Sequence, residues 1–397
     1  MNIVLANQFF PPAQAPTGLL LADLAAELAH RGHVVTVLAS AAGYGAAGRE
    51  SPANVRVVRL GPELAHRSGL GAKLGDYLSF YRQAWRHLDH LPLPPDALVF
   101  MTTPPFIGLL GAHLKKRRNM PYLLWCMDLY PEALVAHGLF RPWNPVLPLL
   151  RRLARTERGR AAAVVALGPD MAALLSRSGA ERIEEIPVWN ALAATPALET
   201  EARKLRQDRG WGADDIVQLY SGNMGRAHRA EEFAALAERL RGGIPRVRFV
   251  FSGGGPLRAE WERRWGGLFE FMPPVPEEAC AAHLLAADVH LVSQQPAWTG
   301  VVVPSKFQAA CALARPVIFA GPPQSAVGTW LAAADTGWLL PPGDAFAIGI
   351  VAAGIREAAV RAAKGGRAHA LFRQQFTKAA NCGRLAALVE TLARNNP

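Results

Sequence analysis

Cysteine and charge are both scarce in this chain of 397 residues. Its four cysteines, Cys126, Cys280, Cys311 and Cys382, include no C-x-x-C pair, which argues against a disulfide framework and against a zinc site. Charged residues make up 19% of the chain and hydrophobic residues 50%. This composition is typical of a globular enzyme, and the length predicts two domains of roughly 150–200 residues each.

Long apolar runs are also missing. The stretches 98–114 and 139–150 are interrupted by Pro, Gly, His or Arg before they reach the ~20 residues of a spanning helix. Met1-Asn2-Ile3 leads into a strand without a basic segment or a cleavage site, so we expect no signal peptide. These features predict a cytoplasmic protein.

Acidic residues are outnumbered, because 32 Asp and Glu face 43 Lys and Arg, a net charge of +11. The excess favours anionic partners such as phosphorylated lipids, membrane surfaces or nucleotides, and does not choose among them.

Two nucleotide-binding signatures are absent. A strand at 3–6, a helix at 18–28 and a strand at 33–39 predict a doubly wound α/β sheet, but the loop 7–17 lacks the G-x-G-x-x-G of nicotinamide enzymes. Gly18 would let a ligand approach the helix start, or it is an ordinary turn glycine. The chain has no D-x-D, the usual holder of a metal on a nucleotide diphosphate.

Strands at 55–60, 97–101 and 121–127 continue the first domain, and the last runs into Asp128-Leu129-Tyr130-Pro131-Glu132. A carboxylate at the carboxyl end of a parallel strand points into the crevice where such sheets bind ligands. Asp128 is therefore the polar candidate of this domain, with a helix N-cap as its alternative role.

In the stretch 139–160, apolar residues precede a cluster of five arginines, Arg151, Arg152, Arg155, Arg158 and Arg160. An interfacial helix on an anionic bilayer has this composition. So does a long crossover helix with a solvated basic face. Strands at 163–167 and 183–188 follow, and we place the domain boundary after them.

The second domain opens with a strand at 216–221 and the loop Gly222-Asn223-Met224-Gly225-Arg226. Glycines before a helix let backbone N–H groups close on a phosphate, and an adjacent arginine can bind it with two parallel hydrogen bonds. A purely structural glycine turn is the alternative.

The stretch 301–321 reads VVVPSKFQAACALARPVIFAG. Ser305 and Gln308 have the spacing of a capping box, which predicts a helix start. An anion there would meet free backbone N–H groups and the Lys306 ammonium. A surface lysine beside an ordinary β-turn-α-β unit is the alternative, and 317–320 is predicted to be a buried strand.

Together, Y-S-G-N-M-G-R (220–226), G-G-G-P (253–256), P-S-K (304–306) with R-P-V-I (315–318), and D-L-Y-P-E resemble family 4 glycosyltransferases. The likeness is greatest to the bacterial exopolysaccharide and O-antigen subgroup of colanic acid type. It implies the GT-B fold, an α/β architecture of two doubly wound Rossmann-like domains facing across a cleft. The acceptor-side domain would span 1–190, the donor domain 191–375, and a C-terminal helix within 376–397 would pack back on the first domain.

The resemblance also implies site residues. Asp128, Arg226 and Lys306 would be catalytic, Val275 would lie beside the nucleotide base, and Trp298 would lie near the donor sugar or merely pack in the core. The implied donor-binding set is Gly18, Gly222, Asn223, Gly225, Arg226, Val275, Pro304, Ser305 and Lys306.

The implied reaction is a retaining, metal-independent transfer of a hexose or N-acetylhexosamine from a UDP- or GDP-sugar to a lipid-linked glycan in bacterial surface polysaccharide synthesis. No cofactor and no nucleic acid partner is expected. The protein would sit peripherally on the anionic inner face of the cytoplasmic membrane. Arg226, Lys306 and the helix start at Ser305 would stabilise the leaving phosphate.

One departure concerns the two glutamates that the family commonly spaces E-x7-E. Their positions fall at Val301 and Ala309 here, so ribose must be held by backbone or another residue such as Gln308. Two alternatives stay open: a sugar-nucleotide epimerase, which would need carboxylates in the cleft, and a non-catalytic binding protein.

Overall fold

The computed structural model describes residues 1–13, 15–41, 50–61, 70–243 and 246–394. It divides into two compact units. Unit 1 comprises Met1–Pro187, Gly300–Val302 and Lys378–Pro397, and unit 2 comprises Val188–Thr299 and Val303–Thr377. The sequence-based ranges were 1–190, 191–375 and 376–397, and the last three residues of the third range lie outside the described residues.

Unit 1 is built on a seven-stranded parallel sheet of order β3-β2-β1-β4-β5-β6-β7. Its elements are β1 (Asn2–Ala6), α1 (Pro16–His30), β2 (Val34–Ser40), β3 (Val55–Leu60), α2 (Leu70–Asp89), β4 (Ala97–Met101), α3 (Gly108–Arg118), β5 (Tyr122–Trp125), α4 (Glu132–Ala136), α5 (Leu147–Gly159), β6 (Ala163–Ala166), α6 (Pro169–Arg177) and β7 (Ile183–Glu185).

Unit 2 has a six-stranded parallel sheet of order β10-β9-β8-β11-β12-β13. Its elements are α7 (Pro196–Asp208), β8 (Ile216–Ser221), α8 (Glu231–Leu240), β9 (Val247–Ser252), α9 (Arg258–Trp265), β10 (Glu270–Met272), α10 (Glu277–Leu285), β11 (Val289–Ser293), a 3₁₀ turn (Pro296–Trp298), α11 (Lys306–Ala312), β12 (Val317–Ala320), α12 (Ala326–Ala334), β13 (Gly337–Leu340), α13 (Ala345–Gly354) and α14 (Ala358–Gln375).

The strands are short apolar runs because helices flank both sheets. Every residue of β4, β5 and β6 in unit 1 is buried, as is every residue of β11 and β12 in unit 2. Strands buried on both faces read as continuous hydrophobic segments rather than as alternating ones. The predicted architecture of two doubly wound α/β domains is confirmed.

The chain ends with α15 (Lys378–Arg394), which belongs to unit 1 and packs on α1. The Lys378 ammonium lies 2.7 Å from the Asp23 carboxylate, and the His33 ring lies 2.8 Å from the Glu390 carboxylate.

The composition of 358–391 is helical throughout, but the structure divides this segment into α14 and α15. The helix stops at Phe376, whose buried ring packs edge-on against Phe307 and Trp330. The Phe376 carbonyl accepts a hydrogen bond from the Asn190 amide, so this backbone group bonds to a residue outside the helix.

The stretch 139–160 is not one long helix either. Regular α5 covers only Leu147–Gly159 and buries Leu147, Ala154, Glu157 and Arg158. Before it, Leu139 and Trp143 are 57% and 74% exposed.

Candidate functional site

Asp128 follows β5 at the carboxyl edge of the unit 1 sheet. The backbone amides of Met127 and Asp128 donate to the Thr102 hydroxyl at 2.8 and 3.2 Å, which fixes this segment to the end of β4. The alternative that Asp128 caps a helix is wrong, because α4 begins at Glu132 with Pro131 at its N-cap. Burial raises the pKa of Asp128 to about 6, since the charged carboxylate is poorly solvated there.

Arg158 holds the segment that carries Asp128. Its guanidinium donates to the Tyr130 carbonyl at 2.6 Å and to the Ser178 hydroxyl at 2.7 Å, and it lies 3.5 Å from the Glu132 carboxylate. The side chain is 2% exposed, so Arg158 belongs neither to a membrane-facing surface nor to a solvated basic face, the two alternatives that the sequence left open. Sequence reasoning missed this role, because periodicity alone cannot show which arginine of a cluster turns inward.

Gly18 lies in the first turn of α1, where a Cβ would come within 3.1 Å of the Phe9 carbonyl and 3.2 Å of the Phe10 Cα. That spacing is tighter than a side chain tolerates without movement of the loop. Close packing of the first loop on α1 is therefore a structural reason for glycine at this position.

In unit 2, two glycine loops pack backbone against backbone at the carboxyl ends of β8 and β9. The Met224 amide donates to the Gly254 carbonyl at 2.7 Å, and a Cβ at Gly253 would collide with the Gly222 carbonyl. Gly222 has φ +121°, and a Cβ there would lie 3.0 Å from Lys306 Cε. Glycine is therefore required at this turn both by conformation and by the approach of Lys306.

Lys306, at the start of α11, reaches back to that loop. Its ammonium lies 4.9 Å from the centre of the Tyr220 ring and 3.5 Å from His228 Nε2. Among the residues the structure describes, no carboxylate forms an ion pair with it. Burial of the ammonium lowers the pKa of Lys306 to about 8, as expected for a cation held in a poorly solvated place without a counter-charge.

His228 completes this cluster. Its Nδ1 lies 2.8 Å from the Ser293 carbonyl, so Nδ1 carries the proton and Nε2 is the acceptor that faces Lys306. Burial and the Lys306 charge lower the pKa of His228 to about 3, and the ring is neutral at physiological pH. The sequence reasoning missed His228, although G-R-A-H in the same loop as Arg226 was a usable signal.

The cluster occupies the topological switch point of the unit 2 sheet. The strand order runs outward from β8 to β10 on one side and from β11 to β13 on the other. Open α/β sheets bind ligands at the carboxyl ends of the strands where the order reverses. His228 follows β8 and contacts the end of β11, so the polar groups converge at this point.

Of the other predicted donor residues in the glycine loop, Asn223 and Arg226 are exposed. The Asn223 carbonyl accepts the Tyr220 hydroxyl at 2.9 Å. In the part of the chain that the structure describes, Arg226 makes no ion pair. Gly225 lies in the same turn, where a Cβ would come within 2.9 Å of the Asn223 side-chain amide.

The capping box predicted at Ser305 and Gln308 does not form. Ser305 has helical torsions, φ −66° and ψ −11°, and makes no side-chain cap bond, whereas an N-cap residue needs an extended conformation for its hydroxyl to reach the next amides. α11 still begins where predicted, with buried Pro304 before it. Gln308 is fully buried, and neither its amide nitrogen nor its oxygen has a hydrogen-bond partner.

Val275 is partly exposed in the loop after β10. Trp298 is 4% exposed, and its carbonyl accepts the Gln294 amide at 2.9 Å. The packing alternative for Trp298 is therefore the one its burial favours.

Within the described ranges, no group of three His, Cys, Asp or Glu side chains could hold a metal ion. No described helix is both long enough and apolar enough to cross a bilayer.

Comparison with known sequences connects these features to a family. Residues 18–189 match the glycosyl transferase 4-like domain. The chain is 23% identical over 305 residues to the probable glycosyltransferase WbjE of Pseudomonas aeruginosa, covering 75% of each protein. It is 31% identical over 130 residues, 32% of each, to the putative colanic acid biosynthesis glycosyl transferase WcaI of Escherichia coli K12. The predicted resemblance to family 4 glycosyltransferases is confirmed.

Solved structures share the whole fold. Sucrose-phosphate synthase from Thermosynechococcus elongatus superposes with a TM-score of 0.75 at 18% identity, covering 99% of each chain. Anabaena Alr3699/HepE in complex with UDP superposes with a TM-score of 0.70 at 16% identity, covering 98% of this chain and 100% of that one. The fold is of the predicted GT-B type.

Proposed function

We propose, from the premise that this chain is a glycosyltransferase with a glycosyl transferase 4-like domain, that it moves a hexose or N-acetylhexosamine from a UDP- or GDP-sugar to a lipid-linked glycan. The pathway would be bacterial surface polysaccharide synthesis. Support comes from the similarity to WcaI, a putative colanic acid biosynthesis glycosyl transferase, and from the UDP bound by HepE.

The donor part of the proposal rests on the Lys306 ammonium, which forms no ion pair with any carboxylate of the described residues. It lies beside a neutral histidine and an aromatic ring rather than beside an acid. A diphosphate would supply the missing negative charge through charge-assisted hydrogen bonds. Its approach would raise the pKa of Lys306, because a nearby anion favours the charged form.

The same charge serves the chemistry. When the bond between the anomeric carbon and the donor oxygen breaks, its electron pair stays on the diphosphate. Lys306 lies against the glycine loop and Arg226 belongs to that loop, so both cations would stabilise the charge of the leaving diphosphate. We propose that this stabilisation needs no metal ion and no other cofactor.

On the acceptor side, we assign Asp128 the task of accepting a hydrogen bond from the acceptor hydroxyl. The new bond would form on the face that the diphosphate leaves, with retention, and the hydroxyl proton would pass to a diphosphate oxygen. Asp128 fits as an orienting group because it follows β5 at the ligand-binding edge of its sheet.

Membrane attachment would use the surface around α5. Trp143, before α5, is 74% exposed, and Leu149, in α5, is 58% exposed. Further along α5, Arg151, Arg152 and Arg155 are exposed as well. Each basic residue near an anionic bilayer contributes on the order of 1 kcal/mol. This is where we place the peripheral contact with the inner face of the cytoplasmic membrane.

A panel of UDP-, GDP- and ADP-sugars tests the function. The nucleotide sugars of one base should raise the melting temperature of the wild-type protein, and the enzyme should consume them in a transfer or hydrolysis assay. The Lys306→Ala variant should show no such rise in melting temperature. A protein that neither binds nor consumes any nucleotide sugar would reject the proposal.

A further inference from the structure

An open apolar groove lies between α2 and α3 in unit 1, with a volume of about 790 Å³. Tyr77, Leu78, Tyr81 and Trp85 line it from α2, and Leu109 lines it from α3. We call it the α2–α3 groove. Its volume falls in the ~300–1,000 Å³ range of small-molecule sites.

The groove leaves large apolar side chains in contact with water. Leu78 is 61% exposed and Trp85 is 39% exposed, and both side chains line the groove. A contiguous exposed apolar site of this kind marks a binding surface rather than ordinary surface variation.

Among the described residues that line the groove, Arg82 carries a charge. Arg82 and His113 lie at its rim, His113 packs edge-on against Trp85 with ring centres 6.3 Å apart, and none of the described lining residues is acidic. Lys116 and Arg117 follow His113 by one helical turn and are exposed, on the same side of α3, and Arg117 also lies 3.6 Å from the Asp89 carboxylate. The complementary ligand is a hydrocarbon chain that ends in an anion.

The groove also reaches the candidate acceptor segment. Tyr130 and Leu134 form part of its wall, and Tyr130 is two residues from Asp128. Arg158 fixes the Tyr130 carbonyl from the other side at 2.6 Å. A ligand lying in the groove would therefore contact the loop that carries Asp128.

We propose that the α2–α3 groove binds the hydrocarbon chain of the lipid-linked acceptor, with the lipid phosphate at the basic rim formed by Arg82 and His113. This assignment rests on the proposed function for its choice of ligand. It places the acceptor lipid within the protein, apart from the arginines of α5, which line a separate cavity of about 600 Å³ with Pro148 and Thr156.

Calorimetric titration with butyl, octyl and dodecyl phosphate below their micelle concentrations tests the site. Each fully buried CH₂ group strengthens binding about fourfold, so dodecyl phosphate should bind at least tenfold more tightly than octyl phosphate. Affinity that does not depend on chain length would overturn the proposal.

Leu78→Asp places a charge in the groove at an exposed position, so the fold should tolerate it. Leu93→Asp is the matched control, because Leu93 is 74% exposed and lies outside the groove. Leu78→Asp should weaken dodecyl phosphate binding at least tenfold, and Leu93→Asp should leave it unchanged. Equal binding by both variants, or equal loss in both, contradicts the assignment.

Two further outcomes separate this inference from the proposed function. If binding of alkyl phosphates depends on their chain length but the protein uses no nucleotide sugar, the groove assignment is supported and the transferase function is rejected. Consumption of a nucleotide sugar with no effect of Leu78→Asp on dodecyl phosphate would reject the groove alone. A dimer in sedimentation analysis that Leu78→Asp dissociates would show that a second copy occupies the groove, and would also overturn the proposal.

Discussion

Replacing Lys306 with methionine should make the protein more stable and nearly inactive. Methionine has a similar length and no charge, so it keeps the packing beside Gly222 and removes the unpaired ammonium. The two effects have one cause, because the charge that is costly in the folded protein is the charge that would bind the donor diphosphate.

The size of the stability effect follows from the pKa. Burial lowers the pKa of Lys306 from 10.5 to about 8, and a difference of about 2.5 units corresponds to about 3 kcal/mol. Methionine also forfeits the cation–π contact with Tyr220, worth about 0.5–2 kcal/mol. We therefore expect the free energy of unfolding at pH 7 to rise by about 1–2.5 kcal/mol.

The pH dependence has a definite sign. The folded state of the wild type binds fewer protons than the unfolded state between pH 8 and pH 10.5, so its stability rises across that interval. The full cost of the charge is present below pH 8. The advantage of Lys306→Met should accordingly be largest at neutral pH and disappear as the pH approaches 10.5.

Urea denaturation at pH 7 and pH 10, with kinetics on the accepted nucleotide sugar, measures both effects. The value of kcat/KM should fall about 10²–10³-fold, as for the loss of one preorganised charge donor. Lys204→Met is the control, because Lys204 is exposed on α7, and it should change neither quantity. A destabilised Lys306→Met, or one active within tenfold of wild type, would refute the reasoning.

Four other predictions concern single steps of the proposed function. Arg226→Ala should lower turnover about 10²–10³-fold with an unchanged melting temperature, and near-wild-type turnover would remove Arg226 from the site. Transfer should be unaffected by EDTA, and activity lost to the chelator and restored by Mg²⁺ would reveal a metal site. Reversing Arg151, Arg152 and Arg155 to Glu should abolish low-salt sedimentation with phosphatidylglycerol vesicles and spare donor hydrolysis in water, whereas persistent vesicle binding would contradict the membrane assignment. Activity should rise with pH through about 6 as Asp128 ionises, and a pH profile that keeps this limb in Asp128→Asn would show that another group titrates.

The architecture was predictable because parallel strands covered on both faces leave a simple trace in sequence. Buried runs such as A-L-V-F-M at β4 and V-I-F-A at β12 alternate with helical patterns, and this alternation defines a doubly wound sheet. The helix start at Lys306 was predicted from the spacing of Ser305 and Gln308, and α11 begins there although the capping box itself does not form. Local sequence rules were sufficient where a single strand or helix determined the structure of its own residues.

Prediction failed where tertiary contacts overrode a local pattern. The sequence over 358–391 is helical by composition, yet the buried packing of Phe376 against Trp330 ends the first helix there. Ser305 has the spacing of a cap but helical torsions. Arg158 lies in the same run of arginines as the exposed ones, but it is buried and donates a hydrogen bond to the Tyr130 carbonyl.

The identity of the residues around Lys306 explains why its charge is free to act. Ala309 lies one turn along α11 from Lys306, and side chains three apart on a helix are neighbours. A glutamate there, as the family commonly has, would be placed to pair with the ammonium and raise its pKa. With alanine at this position and a neutral His228 at 3.5 Å, no carboxylate in the described part of the chain compensates the positive charge. Alanine in place of the family's glutamate therefore removes an acid from beside Lys306, the cation that we assign to the diphosphate. An anionic ligand is then the partner that would compensate the Lys306 charge.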